Sequence, residues 1–100
     1  MDKILNYLGL ARRSRHLVAG TDSVIKSLQS NKLYLIILAN EASDATKDKI
    51  IKKAFHYSVP VLEGYSIIDI SNATGIKNPV VLAIDDNGLS KAILELKSRS

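Results

Sequence analysis

The chain has 100 residues, of which 46% are hydrophobic, none is cysteine, and the formal net charge is +4. That is one domain, long enough to bury roughly 60–70% of the surface it would expose unfolded. Disulfides and cysteine-ligated metals are excluded, and the longest apolar run, residues 33–39, is too short to span a bilayer.

Charged residues interrupt the apolar ones from Asp2 to Arg13, which is no signal-peptide pattern, so the expectation is a soluble, cytoplasmic chain without a membrane partner. Ile4, Leu5, Leu8 and Ala11 share one face at helical spacing, which predicts a helix over residues 2–13. Residues 17–19 form a minimal strand. Gly20 turns the chain, and Thr21 is a good N-cap for a second helix whose inward stripe is Val24, Ile25 and Leu28. Residues 34–39 are a continuous β-rich run, the pattern of a strand buried on both faces.

Ser43 or Asp44 caps a third helix with Ile50, Ile51 and Ala54 inward. A strand follows over 59–62, where Pro60 argues for a sheet edge or a strand start. Ser66 to Asp69 matches a capping box, and Gly75 ends that short helix. Residues 80–84 are another buried strand. Asp85 or Asp86 starts the last helix, with Leu89, Ala92, Ile93 and Leu96 on one face. Short strands alternating with helices predict an α/β domain, a central mixed four-stranded sheet with helices on both faces. Ile36, Ile37, Leu38, Val81, Leu82 and Ile84 are the expected core.

The charge is uneven. Residues 1–32 hold six Lys and Arg (Lys3, Arg12, Arg13, Arg15, Lys26, Lys32) against Asp2 and Asp22, while residues 33–100 balance. Arginines after a helix C-terminus are favoured there by the helix dipole. Here they precede a glycine and a helix N-terminus, where free N–H groups favour anions. A localised basic stretch beside such a terminus points to a polyanion, and RNA is the expected partner. The five aromatics (Tyr7, Tyr34, Phe55, Tyr57, Tyr65) are not interleaved with the basic residues, which argues against a single-strand stacking platform.

Catalytic chemistry has little to build on. There is no GxGxxG, P-loop or HExxH. His16 lies among arginines with no adjacent nucleophile, and His56 lies near a helix end. Asp85 and Asp86 form an adjacent carboxylate pair that reads first as a helix cap and, as the alternative, as a divalent-metal site. The chain is expected to be no enzyme and to carry no cofactor.

The stretch LGLARRSRHLVAGTDSVIKSLQSNKLYLIILANEASDATKDKI resembles the bacterial YlxQ branch of the kink-turn RNA-binding ribosomal proteins, the L-seven-Ae family. The likeness continues through VPVL, the 66–75 helix, VVLAI and the last helix, and so covers essentially the whole chain. It implies a three-layer α/β/α sandwich that binds RNA without enzymatic activity. In that family a Gly-x-Asn-Glu-x-x-Lys segment opens the second helix and enters the RNA groove, and a hydrophobic loop covers a flipped-out nucleotide. Gly20 and Lys26 match the segment; Asp22 stands where the family has Asn and Ser23 where it has Glu. Ile76, Lys77, Asn78 and Pro79 take the place of the loop and are only partly apolar. Ionised Asp accepts but cannot donate, and Ser is too short to reach a guanine edge.

The expected RNA face therefore holds Arg12, Arg13, Arg15, Gly20, Thr21, Asp22, Ser23, Lys26 and Lys32 with the 76–79 loop. The expected function is that of a monomeric protein binding structured or ribosomal RNA, without a commitment to kink-turns. The competing reading is a protein-interaction module that kept the fold and lost specific RNA recognition.

Overall fold

The structure, a computed structural model, describes residues 2–99. The described elements follow the order α1 (Lys3–Arg13), β1 (Leu17–Ala19), α2 (Thr21–Gln29), β2 (Leu35–Leu38), α3 (Asp44–His56), β3 (Val61–Leu62), α4 (Ile67–Thr74), β4 (Val81–Ile84) and α5 (Asn87–Ser98). The strands join into one mixed sheet in the order β1-β4-β2-β3. β4 is antiparallel to both β1 and β2, and β2 is parallel to β3.

Residues of β2 and β4 are buried on both faces because helices cover both. Leu35, Ile37, Leu82 and Ile84 pack with α1, α4 and α5; Ile36, Leu38, Val81 and Ala83 pack with α2 and α3. This is the three-layer α/β/α sandwich with its mixed four-stranded sheet. All six expected core residues are buried. Alternation of side chains across a strand divides them between the two layers.

Local sequence accounts for most helix boundaries. Asp2, Ser43, Ser66 and Asp86 cap α1, α3, α4 and α5 with side-chain oxygens that accept N–H bonds from the first turn. Gly75 ends α4 at φ +76, a left-handed conformation that glycine adopts without steric cost. Gly9 sits where α1 crosses α4: a Cβ there would come 2.7 Å from the backbone oxygen of Ala73, so only glycine permits this approach.

Three sequence expectations are corrected. Ile51 is 44% exposed rather than inward, because α3 turns Ile50 and Ala54 to the sheet and leaves Ile51 at the edge of that face. The 59–62 strand shortens to two residues at the sheet edge, with the Pro60 carbonyl still accepting from Ile36 N–H at 3.0 Å. The N-cap of α2 is Gly20, not Thr21, which is already the first helical residue. The Gly20 carbonyl accepts from Val24 N–H at 2.9 Å, while its own N–H donates to Val81 O at 2.9 Å. Being held between strand and helix forces φ +100 and ψ 144, a region essentially confined to glycine. No helix among the described residues is long and apolar enough to cross a membrane.

Candidate nucleic-acid interface

β1, β2 and β3 finish at one end of the sheet, where β4 begins; we term this the upper end. Gly20 follows β1 there, and the 76–79 loop enters β4 beside it. Pairing of Ala19 with Leu82 and the Gly20–Val81 hydrogen bond bring the two segments together. They line one cleft of about 340 Å³, formed by Gly20, Thr21, Ile76, Lys77, Asn78 and Pro79. Val80 and Val81 also contribute to its wall, and no sequence signal marked them, because their place in the cleft comes from strand pairing.

The cleft's electrostatics follow from the missing cap. Among the five described helices, α2 alone lacks a side-chain hydrogen bond at its N-cap. The N–H groups of Thr21, Asp22 and Ser23 precede the first helical donor and have no capping side chain. The positive end of the α2 dipole is therefore available to an external anion. Asp22 and Ser23 are exposed on the first turn. Lys26 is exposed about one turn further along α2, and Lys77 and Asn78 are exposed in the facing loop. Pro79 is buried and Ile76 partly buried, so the loop has an apolar base and a polar rim. Asn78 holds φ +51, and its carbonyl accepts from Val80 N–H at 3.0 Å, which fixes the loop's turn.

Arg12, Arg15 and Lys32 lie elsewhere. α1 ends at the start of β1, so Arg12 and Arg15 stand at the lower end of the sheet, separated from Gly20 by about 10 Å of strand. α2 runs back down, which carries Lys32 to the same lower end. Arg13 turns over Gly9, its Nη1 3.3 Å from where a Cβ would stand, and lines the groove between α1 and α4 with Asn6, Asp69 and Asn72. The sequence-predicted site is thus divided: one part is the α2 terminus with the 76–79 loop, another is the lower cation group, and Arg13 belongs to neither.

The acidic pair is accounted for by fold. Asp86 Oδ2 caps α5 by accepting from Leu89 N–H at 2.8 Å, and Asp85 Oδ1 is 2.9 Å from His16 Nδ1. Asp85 N–H also donates to His16 O, which extends the β1–β4 pairing by one residue. Among the described residues no three His, Asp or Glu side chains gather where a metal ion could be held.

The chain is similar to proteins from several sources. An RNA-binding protein YlxQ of Enterococcus faecium is 36% identical over 94 residues, 94% of this chain and 90% of that one. Its namesake in Bacillus subtilis (strain 168) is 34% identical over 89 residues, 89% of each chain. A Bacillus halodurans C protein of unknown function has a solved structure that superposes with a TM-score of 0.94 at 33% identity, covering 98% of this chain and 99% of that one. A Giardia lamblia 15.5kD RNA binding protein shares the fold with a TM-score of 0.80 at 18% identity, over 99% of this chain and 88% of that one. The model of the ribosomal protein L7Ae/L30e/S12e/Gadd45 family matches residues 2–94. With the family model matching residues 2–94 and two relatives above 30% identity over most of its length, the chain belongs to the ribosomal protein L7Ae/L30e/S12e/Gadd45 family.

Proposed function

We propose that this protein is a non-enzymatic RNA-binding protein that seats structured RNA, ribosomal RNA included, on the upper cleft as a cytoplasmic monomer. The observation that carries this reading is the meeting of an uncapped helix N-terminus with the 76–79 loop in one cleft. A phosphate at the α2 terminus takes the place of the missing cap, because those N–H groups point outward along the helix axis and form the positive end of its dipole. Lys26 and Lys77 hold neighbouring phosphates, contacts that position the RNA without reading sequence. Ile76, over the buried base formed by Pro79, offers an apolar surface to a nucleotide displaced from its stack.

Asp22 accepts from a base amino group but repels phosphate, and Ser23 does not span to a guanine edge. The reading is therefore recognition of RNA shape through this cleft rather than kink-turn specificity. A filter-binding titration over a salt series, with a kink-turn stem-loop as the probe, tests it. Each phosphate-contacting lysine removed should reduce the slope of log affinity against log salt by about 1. Lys26→Ala with Lys77→Ala should flatten it by about 2, and an unchanged slope and affinity would sink the proposal. The protein-interaction alternative draws on Asp22 and Ser23 and predicts weak, salt-quenched binding that does not distinguish the stem-loop from a plain duplex.

A further inference from the structure

The lower end of the sheet collects side chains that lie far apart in the sequence. Asp85 N–H donates to His16 O at 3.1 Å, and Tyr34 N–H donates to Ile84 O at 2.9 Å. The strand order β1-β4-β2-β3 then sets Arg15 and His16, Asp85, Lys32 with Tyr34, and Tyr57 with Ser58 along one rim. Three strand spacings make this rim about 14 Å long. Tyr34 is 46% exposed on it, and Phe55, on the last turn of α3, is 87% exposed. Tyr34 and Tyr57 share a cleft of about 180 Å³ floored by Leu28 and Leu33, with Asn31 and Ser58 at its sides. Tyr57 is fixed edge-on to His56, ring centroids 4.8 Å apart at 86°. Tyr34 and Tyr57 thus share this rim with Arg15 and Lys32.

The cations here are not spent on partners. Arg12, Arg15 and Lys32 make no ion pair among the described residues, while Asp85, the rim's carboxylate, is held by His16. Arg15 also occupies a costly position. It ends α1 at φ +65, where the Cβ of an L-residue crowds its own backbone and glycine is the common choice. Asn31 and Ser58 end α2 and α3 in the same conformation, but their short polar side chains suit it better than an arginine does. The competing explanation is that these cations only offset the negative ends of α1, α2 and α3. That explanation accounts for charge near the helix ends; it does not account for an exposed tyrosine beside a cleft floored by apolar side chains.

We infer that this rim is a second RNA contact, one that takes an unpaired, single-stranded segment. Bases stack on Tyr34 and enter the cleft toward Tyr57, and the phosphates meet Arg15, Arg12 and Lys32. Unstacked bases fit an aromatic platform, whereas a duplex hides its base faces. The inference rests on the RNA-binding reading above and extends it to the opposite end of the molecule.

The test uses fluorescence anisotropy with the full chain and two probes: a 12-nucleotide oligouridylate and a blunt-ended kink-turn stem-loop without a single-stranded tail. Tyr34→Ala should weaken oligouridylate binding by about fivefold or more, and Tyr34→Phe, which keeps the ring, should restore it. Arg15→Gly suits the same φ and should keep the fold while lowering the oligouridylate salt slope by about 0.7. All three variants should bind the stem-loop within about twofold of wild type, whereas Lys26→Ala with Lys77→Ala should show the reverse pattern. If oligouridylate does not bind, or if Tyr34→Ala and Arg15→Gly bind it like wild type, the rim contact is overturned while stem-loop binding still stands. If polyglutamate of equal charge binds as well as oligouridylate, with neither affected by Tyr34→Ala, the rim is a general acidic-partner surface and the inference is likewise overturned. Loss of stem-loop binding with oligouridylate binding intact would instead count against the upper cleft.

Discussion

The Tyr65 hydroxyl donates to Asp2 Oδ2 at 2.9 Å, and Asp2 Oδ1 accepts from the N–H of Ile4 at 2.8 Å. One carboxylate therefore caps α1 and ties it to the segment before α4. Burial, the bond to Asp2, and the charges of Asp2 and Asp69 push the Tyr65 hydroxyl up to about 12 from 10.0. A raised pKa contributes stability that is complete below the unfolded value and is lost as pH rises through the folded one. The stability difference between wild type and Tyr65→Phe should be constant between pH 3.8 and pH 10 and shrink between pH 10 and about 12. On the acid side, desolvation of Asp2 is outweighed by its bonds from Tyr65 and the helix N–H groups, which lower its pKa below 3.8. That contribution is present above 3.8 and fades as pH falls through the lowered value. Urea titrations across both ranges measure it; a pH-independent difference would show that the hydroxyl is not held by the carboxylate.

Gly9 permits the contact between α1 and α4. Alanine would gain helix propensity of about 1 kcal/mol, but its Cβ would meet backbone rather than a movable side chain. Overpacking of this kind costs about 1–3 kcal/mol. Gly9→Ala should therefore lower the melting temperature by several degrees, at about 4–8 °C per kcal/mol for a chain of this size. An equal or higher melting temperature would mean that the helices are further apart.

Ile37 and Ile51 contrast two isoleucines with different surroundings. Ile37 is 1% exposed among Leu35, Leu82 and Ile84, and Ile51 is 44% exposed. Ile37→Ala should cost about 2–5 kcal/mol by leaving a cavity. Ile51→Ala should stay within about 1 kcal/mol, since it removes surface that is already partly hydrated. Equilibrium unfolding of both variants checks the burial assignment, and comparable losses would refute it.

Asp22 and Ser23 offer a gain-of-function test. Asp22→Asn with Ser23→Glu restores a donor, removes a charge that repels phosphate, and lengthens the side chain toward a guanine edge. Each good base-edge contact is worth about 1–3 kcal/mol. The double variant should prefer a kink-turn over a duplex of equal length more strongly than wild type does. Paired affinity measurements decide it: a strong wild-type preference that the substitutions leave unchanged would show these two positions to be irrelevant.

Local sequence determined a good deal of this molecule. The 3.6-residue and continuous apolar patterns set the helices and the buried strands, because burial of a face or of both faces is written directly in spacing. Ser43, Ser66 and Gly75 marked their helix ends through short-range hydrogen bonding and backbone freedom. The stretch from LGLARR through LVAG into the second helix, with the chain-wide order of elements, carried the family resemblance, and the charge imbalance of residues 1–32 pointed to a polyanion.

Tertiary structure decided how those pieces are grouped. Arg12, Arg15 and Gly20 are neighbours in the chain, yet β1 sends them to opposite ends of the sheet, because a strand is extended and moves the chain about 3.3 Å per residue. The loop at 76–79 reaches Gly20 only through pairing of β4 with β1 across some 60 residues of sequence. The same strand order sets Tyr34 and Tyr57 on one rim with Arg15, from which the sequence separates them. Composition and periodicity report what each segment buries. Which exposed residues share a surface depends on non-local strand pairing, and that was fixed only when the sheet closed in the order β1-β4-β2-β3.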